Sequence, residues 1–152
     1  MERIEGNLVE MAEEGRFDVI VHGCNCFHEM GAGIAKPIAA RFPEALDADR
    51  QTEHGARDKL GTISVGRVVR SDVALSVVNA YTQFHWKGRG PLVDYDAVTG
   101  CFAAVAGRFP EARIGYPMIG AGMAGGDWDE IARRIDAELS GLSHWLVVLP
   151  GD

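Results

Sequence analysis

The chain has 152 residues, the length of one domain, and its 47% hydrophobic and 24% charged content is ordinary for a globular protein. Its 15 Lys and Arg against 22 Asp and Glu give a net charge of −7 with no basic run, which argues against duplex nucleic acid and anionic membranes as partners. The opening MERIEGNLVEM has no apolar leader-like run, no stretch approaches a membrane span, and Cys24, Cys26 and Cys101 cannot all pair, so a reducing cytoplasm is the expected compartment.

In chain order, residues 1–5 read as a short strand, followed by Asn7 and a weakly helical LVEMAEEG. Residues 18–23 form an apolar run without alternation, the pattern of a strand buried on both faces of a parallel sheet. Residues 33–42 have helical spacing, with Pro37 tolerable because it falls in the first turn, and residues 43–54 suggest a second short helix or an ordered connection. Residues 61–70 and 73–80 are rich in β-branched residues and meet at Arg70-Ser71-Asp72, which predicts a hairpin. A helix is expected over 94–109, with Cys101 in its core face. A strand follows over 113–118, then a helix over 127–139 capped by Asp127 with Glu130 in support, and a final strand over 144–149. This alternation predicts one α/β domain spanning residues 1–152, a mixed and mostly parallel sheet with helices on both faces.

The 19 glycines are well above average usage and gather in two loops, within DVIVHGCNCFHEMGAGIAKPI and RIGYPMIGAGMAGGDWDEI. Each loop leaves an apolar strand and enters a helical pattern. Such a turn aims backbone N–H groups and the positive end of a helix dipole at open space, which suits a phosphate. Two loops can hold a diphosphate from opposite sides without any lysine, so a nucleotide-like ligand is expected. Gly120 to Gly125 also matches G-x-G-x-x-G, but Glu138 and Leu139, where an acidic strand end should stand, fall within a helix, so a Rossmann dinucleotide site is not expected. His22, Cys24, Cys26 and His28 recur at every second residue and would share one face of an extended chain. Four ligands from seven residues strain a tetrahedron, however, so no metal is expected.

Taken together, Glu5-Gly-Asn-Leu8, Val19 to Cys26, Met30-Gly-Ala-Gly-Ile-Ala35, Val78-Asn-Ala80 and Tyr116 to Gly122 resemble the macro domain, the module that binds ADP-ribose. The His-x-Cys-Asn-Cys segment followed by Gly-Ile-Ala is particularly similar to the branch containing the yeast-type ADP-ribose 1″-phosphate phosphatase, and related phage-borne proteins look alike. The resemblance implies a three-layer α/β/α macro domain. It places Asn25 on the distal ribose, Gly31, Ala32, Gly33 and Ile34 over the diphosphate, and Gly120, Ala121, Gly122, Met123 and Ala124 as the phosphate cradle. Asn7 and Leu8 fall where many members carry an acid that binds the adenine amino group. Val148 replaces an aromatic that stacks on adenine in some.

The implied activity is hydrolysis at C1″ of the distal ribose, releasing phosphate from ADP-ribose 1″-phosphate or an ADP-ribosyl group from protein, with neither cofactor nor metal. His22 matches a histidine proposed as catalytic in the yeast-type branch, where an imidazole would carry the proton and Asn25 would orient the ribose. A lysine–aspartate mechanism used elsewhere in the family is not expected, because Ala124 stands at the acid's place and Lys87 does not directly follow a strand. The same loops fit a non-catalytic reader of ADP-ribose. The aromatic and basic segment 81–91 is expected as a surface loop at the mouth of the crevice, and Trp128 as a packing residue.

Overall fold

Residues 1–122 and 124–151 are described by the computed structural model. Six strands form one sheet: β1 Glu2–Glu5, β2 Val19–Cys24, β3 Ile63–Arg70, β4 Val73–Tyr81, β5 Arg113–Tyr116 and β6 Ser143–Val148. Their order is β1-β6-β5-β2-β4-β3, parallel throughout except for the β3–β4 hairpin, whose turn carries Ser71 at φ +34°. β5 stops at Tyr116, two residues short of the expected end, because Pro117 has no N–H for the ladder.

Alternate residues of the central strand feed opposite cores. Val19 and Val21 pack with Val98, Phe102 and Val105 of α4 (Tyr95–Arg108) and Ile131 and Ile135 of α5 (Trp128–Glu138). Ile20 faces the other way, toward Leu8 and Met11 of α1 (Leu8–Glu13), Ile38 of α2 (Ala35–Arg41) and Ala45 of α3 (Pro43–Arg50). The sheet is therefore covered on both sides, as an apolar run without alternation requires. Cys101 is buried in the first core and Trp128 packs at its edge.

The helix ends show their chemistry. Asp94 accepts from the Ala97 N–H and Asp127 from the Asp129 N–H, each capping the helix that follows. Glu130 does not complete a capping box. It pairs instead with Arg133 and Arg134 along its own helix, because both guanidinium groups lie within one turn of it. A 3-10 turn at Arg57–Lys59 had no sequence signal.

One consequence of the strand order positions the site. From β2 the chain goes to the β4 side and then returns to β5 on the other flank. The carboxyl ends of β2 and β5 thus flank the point where winding reverses, where open α/β sheets hold ligands. Both glycine loops leave from there.

Candidate functional site

The first loop runs from the end of β2 to α2, and Asn25 shapes its opening. The side-chain oxygen of Asn25 accepts the Phe27 and Glu29 N–H groups at 2.9 and 3.4 Å, and its amide nitrogen donates to the Glu29 carbonyl at 2.9 Å. One amide hydrogen is left for another acceptor. The second loop is cinched by the Gly126 N–H donating to the Gly120 carbonyl at 2.7 Å and the Gly125 N–H to that of Gly122 at 3.0 Å. Gly120 needs its φ of +74°, and a side chain there would also strike Val93.

Between the loops lies a cavity of about 570 Å³, lined among others by Asn25, Gly31, Gly33, Ile34, Gly120 and Gly122. It meets a second cavity of about 420 Å³ that reaches Asn7, Leu8, Val147 and Val148. Gly33, Ile34, Pro117 and Met118 line both, so the two make one cleft running across the carboxyl ends of the strands. Ala32 and Ala124 also face the larger cavity, while Ala121 is half-buried in the turn of the second loop. Met123 lies outside the described residues. A Cβ added at Gly31 or Gly122 would meet no atom within 4 Å, so both backbones face open space at the cavity wall.

Asn7 has a structural duty as well: its side chain accepts the Glu10 N–H at 3.1 Å and caps α1. Arg41 lines the same smaller cavity and is paired with Glu13. Segment 81–91 reaches the larger cavity through Gln83 and Trp86. It is tied to the second loop by the Leu92 N–H donating to the Ala124 carbonyl at 2.7 Å. Glu29, Pro117 and Met118 line the cleft without having been singled out by sequence, since none has a spacing signal.

His22 is placed differently from the other candidates. It is fully buried beneath the cleft floor and is absent from the residues lining either cavity, whereas Cys24 and Asn25 do line the larger one. The amide nitrogen of Asn79 donates to the Ala45 carbonyl at 2.9 Å and to Ser64 Oγ at 3.1 Å. Its oxygen must therefore be the acceptor for His22 Nε2–H at 2.6 Å, which assigns the tautomer. The nearest polar partner of His22 Nδ1 is the Cys24 thiol at 3.8 Å. Burial holds the imidazole below its ordinary pKa despite the Asn79 bond and the nearby Asp49 carboxylate, so it is neutral at pH 7.

The network continues beneath the sheet. Ser64 Oγ donates to Tyr81 Oη at 2.8 Å, and Tyr81 Oη donates to the buried Asp49 carboxylate at 2.7 Å. Lys59 Nζ stands over the Tyr81 ring at 4.6 Å and donates to the Cys26 carbonyl at 3.2 Å. Cys24, His22 and Asn79 together suggest a thiol nucleophile with its base. The geometry denies it: Nε2 faces both Asn79 and Cys24, and burial pushes the Cys24 thiol well up. Of the four residues weighed as metal ligands, His22 and Cys24 face each other and share the Asn79 oxygen, whereas Cys26 Sγ lies near the Gln83 carbonyl and His28 Nε2 on the Thr52 carbonyl.

No protein-family model matches the sequence. The chain is 38% identical over 149 residues, 95% of its length, to a 17.5 kDa protein from the tk-vs intergenic region of Enterobacteria phage T4, covering 93% of that protein. It is 26% identical over 118 residues, 78% of its length, to a DNA ADP-ribosyl glycohydrolase of Mycobacterium tuberculosis, and spans 34% of that longer protein. Among solved structures, the macrodomain of Thermus aquaticus DarG superposes with a TM-score of 0.73 at 27% identity, covering 99% of both chains. The chain thus belongs to one family with the phage T4 protein, and its fold is that of the macro domain.

Proposed function

We propose that the cleft binds ADP-ribose and that the protein hydrolyses a bond at C1″ of the distal ribose. The observation that carries this reading is the pair of glycine loops facing one cavity, with the backbones of Gly31 and Gly122 open to it. The adenosine would lie in the smaller cavity, against Leu8 and Val148, with Asn7 at the adenine edge. The diphosphate would sit at the junction between Gly33, Ile34 and the second loop. The distal ribose would fall in the larger cavity, where Asn25 can donate its remaining amide hydrogen. The described lining residues of the larger cavity include no Lys, Arg or His, and Arg41 at the smaller cavity is paired with Glu13, so the diphosphate would be held by backbone amides rather than by cations.

In the reaction a water oxygen forms a bond to C1″ as the bond from C1″ to the carried group breaks. One water proton ends on the leaving atom, and ADP-ribose is released with a hemiacetal hydroxyl. Orientation of water and ribose by the loops can lower such a barrier by several kcal/mol without a covalent intermediate. Glu29 is the group we assign to accept the water's proton. His22 would act as a positioning residue: its burial and the Nε2–H bond to Asn79 favour support of the floor under Cys24 and Asn25 over proton transfer to substrate.

The carried group is open to three chemistries: a 1″-phosphate, a protein carboxylate, or DNA as in the name of the mycobacterial relative. Calorimetry with ADP-ribose, AMP and NAD tests the binding, and preference for AMP or NAD would overturn it. Turnover of ADP-ribose 1″-phosphate, ADP-ribosylated protein and ADP-ribosylated DNA tests the chemistry, with Glu29→Gln expected to lower kcat by about 10²-fold or more while KM stays close to wild type. A reader without turnover is the second reading, favoured by the burial of His22. Tight ADP-ribose binding with no product from any of the three substrates would establish it.

A further inference from the structure

The mouth of the larger cavity is built from rings. Phe27 is the hub, with its centroid 4.9 Å from Phe84, 4.8 Å from His85, 5.8 Å from Trp86 and 5.4 Å from His54. His85 and Trp86 are stacked at 4.1 Å with 13° between their planes. Trp86 is 40% exposed and lines the same cavity as Asn25 and Gly122. The stack is held from below: Gln83 Nε2 donates to the His85 carbonyl at 3.0 Å, and the Lys87 N–H donates to His85 Nδ1 at 2.9 Å.

The charge around this face runs against that of the rest of the chain. Segment 81–91 holds Lys87 and Arg89, both exposed, and no acidic residue, in a protein of net charge −7. Arg57 adds a guanidinium 3.9 Å from the centre of the Phe84 ring. Acidic groups do lie near, Glu29 lining the same cavity as Trp86 and Asp94 and Asp96 lining another with Arg57 and Phe84, but none interrupts the loop. An exposed ring backed by half-buried ones and flanked by cations, fixed in place before any ligand arrives, is the pattern that stacks an unpaired base while drawing in its phosphates.

We infer that the Trp86–His85 stack, flanked by Lys87 and Arg89, is a docking platform for an unpaired nucleobase of a single nucleic-acid strand. This rests on the reading of the cleft as an ADP-ribose site, because the platform then stands where a group carried on the distal ribose leaves the cavity. In a duplex both π faces of a base are covered by its stacked neighbours, so the platform selects single strands, in line with the expectation that net charge argues against duplex. An acidic peptide would meet the same cations but brings no ring to the stack.

The test is fluorescence anisotropy with a short labelled oligodeoxythymidylate, using wild type, Trp86→Ala, Trp86→Phe and Lys87→Gln/Arg89→Gln, each first shown to melt cooperatively. Wild type binds the oligonucleotide, Trp86→Ala weakens it by about tenfold or more, Trp86→Phe restores most of the loss, and the double variant flattens the salt dependence. Equal binding by wild type and Trp86→Ala overturns the platform. So does equal competition by a duplex, or displacement by an acidic peptide in place of the strand. Calorimetry with ADP-ribose on the same wild-type sample separates the two readings. Failure to bind ADP-ribose with Trp86-dependent oligonucleotide binding intact removes the cleft reading alone. The converse removes the platform alone.

Discussion

Gly122 offers the cleanest test of how the cleft holds its ligand. A Cβ built there meets nothing within 4 Å and its φ lies outside the left-handed region, so Gly122→Val should fold and, by stiffening the unfolded chain, should not lose stability. If a phosphate oxygen takes the Gly122 region's N–H at about 2.9 Å, the new methyl groups fall within van der Waals reach of that oxygen. One hydrogen bond to a charged group is then lost, about 1.5–3 kcal/mol, which is roughly a 10- to 150-fold weakening of ADP-ribose binding. Gly31→Val has the same open space and the same expectation. Gly33 is a poorer probe, because its φ of +56° would strain any side chain and mix folding with binding. Gly107→Ala on the exposed side of α4 controls for substitution itself and should raise stability by about 0.5–1 kcal/mol without touching affinity. Calorimetric affinities paired with thermal melts decide it: wild-type affinity in both valine variants would refute the idea that these loops grip phosphate through their backbone.

Asn25→Ala should release the Phe27 and Glu29 N–H groups as well as the ribose contact, lowering ADP-ribose affinity and turnover together by about 1–3 kcal/mol; a fall in one alone would count against the role assigned to Asn25. Gly66→Ala should destabilise the fold by about 1–3 kcal/mol, several degrees in Tm, because its Cβ would stand 2.6 Å from the Ala45 nitrogen and 2.7 Å from the Glu44 carbonyl carbon. An unchanged melt would show that α3 can move off β3 freely. Because the folded-state pKa of His22 is held below its unfolded value of about 6.5, the unfolded chain binds the extra proton. The stability His22 contributes is complete above that value and is lost as pH falls below it. Melts between about pH 7.5 and 5.5 should slope downward in wild type and less so in His22→Gln, with His144, also lowered by burial, supplying the residual slope; parallel curves would remove His22 as the titrating group.

The sheet was legible because its central strands carry an unbroken apolar run and its loops a glycine excess, and both signals are local. The same holds for the cleft. Asn25, Gly31, Gly120 and Gly122 lie within a few residues of strand ends, and strand order alone brings those ends together. His22, expected as a catalytic residue, lies off the cleft wall for a reason the sequence also contains: it sits at an even register with Ile20, on the face of β2 that looks toward Asn79 and Ala45. What fixes it there is not local. Asn79, Ser64, Tyr81 and Asp49 come from three separate elements and show no common spacing. Trp86 lies between these cases, since the aromatic segment was conspicuous but its stacking on His85 depends on Phe27 from the other loop.

A protein of net charge −7 holding a diphosphate poses an electrostatic question, and two kinds of positive potential answer it at two places. Between the glycine loops of the cleft the positive charge is partial, carried by fixed N–H groups within the body of the fold, and it acts only at contact, while Arg41 at the smaller cavity is paired with Glu13. Beyond contact the acidic chain repels the ligand, so added salt, by shortening the Debye length from about 30 Å at 0.01 M to about 10 Å at 0.1 M, should leave ADP-ribose affinity flat or slightly improved. At the platform the positive charge is whole and exposed, on Lys87 and Arg89. Neutralising two phosphates of a single strand there gives a log–log salt slope of roughly −1.4, about 25-fold weaker binding over a tenfold rise in salt. One sample titrated with both ligands at two ionic strengths therefore reads the two mechanisms apart. If ADP-ribose weakened as steeply as the oligonucleotide, the cleft would be holding its phosphates by exposed side-chain cations, and the account of the glycine loops would have to be abandoned.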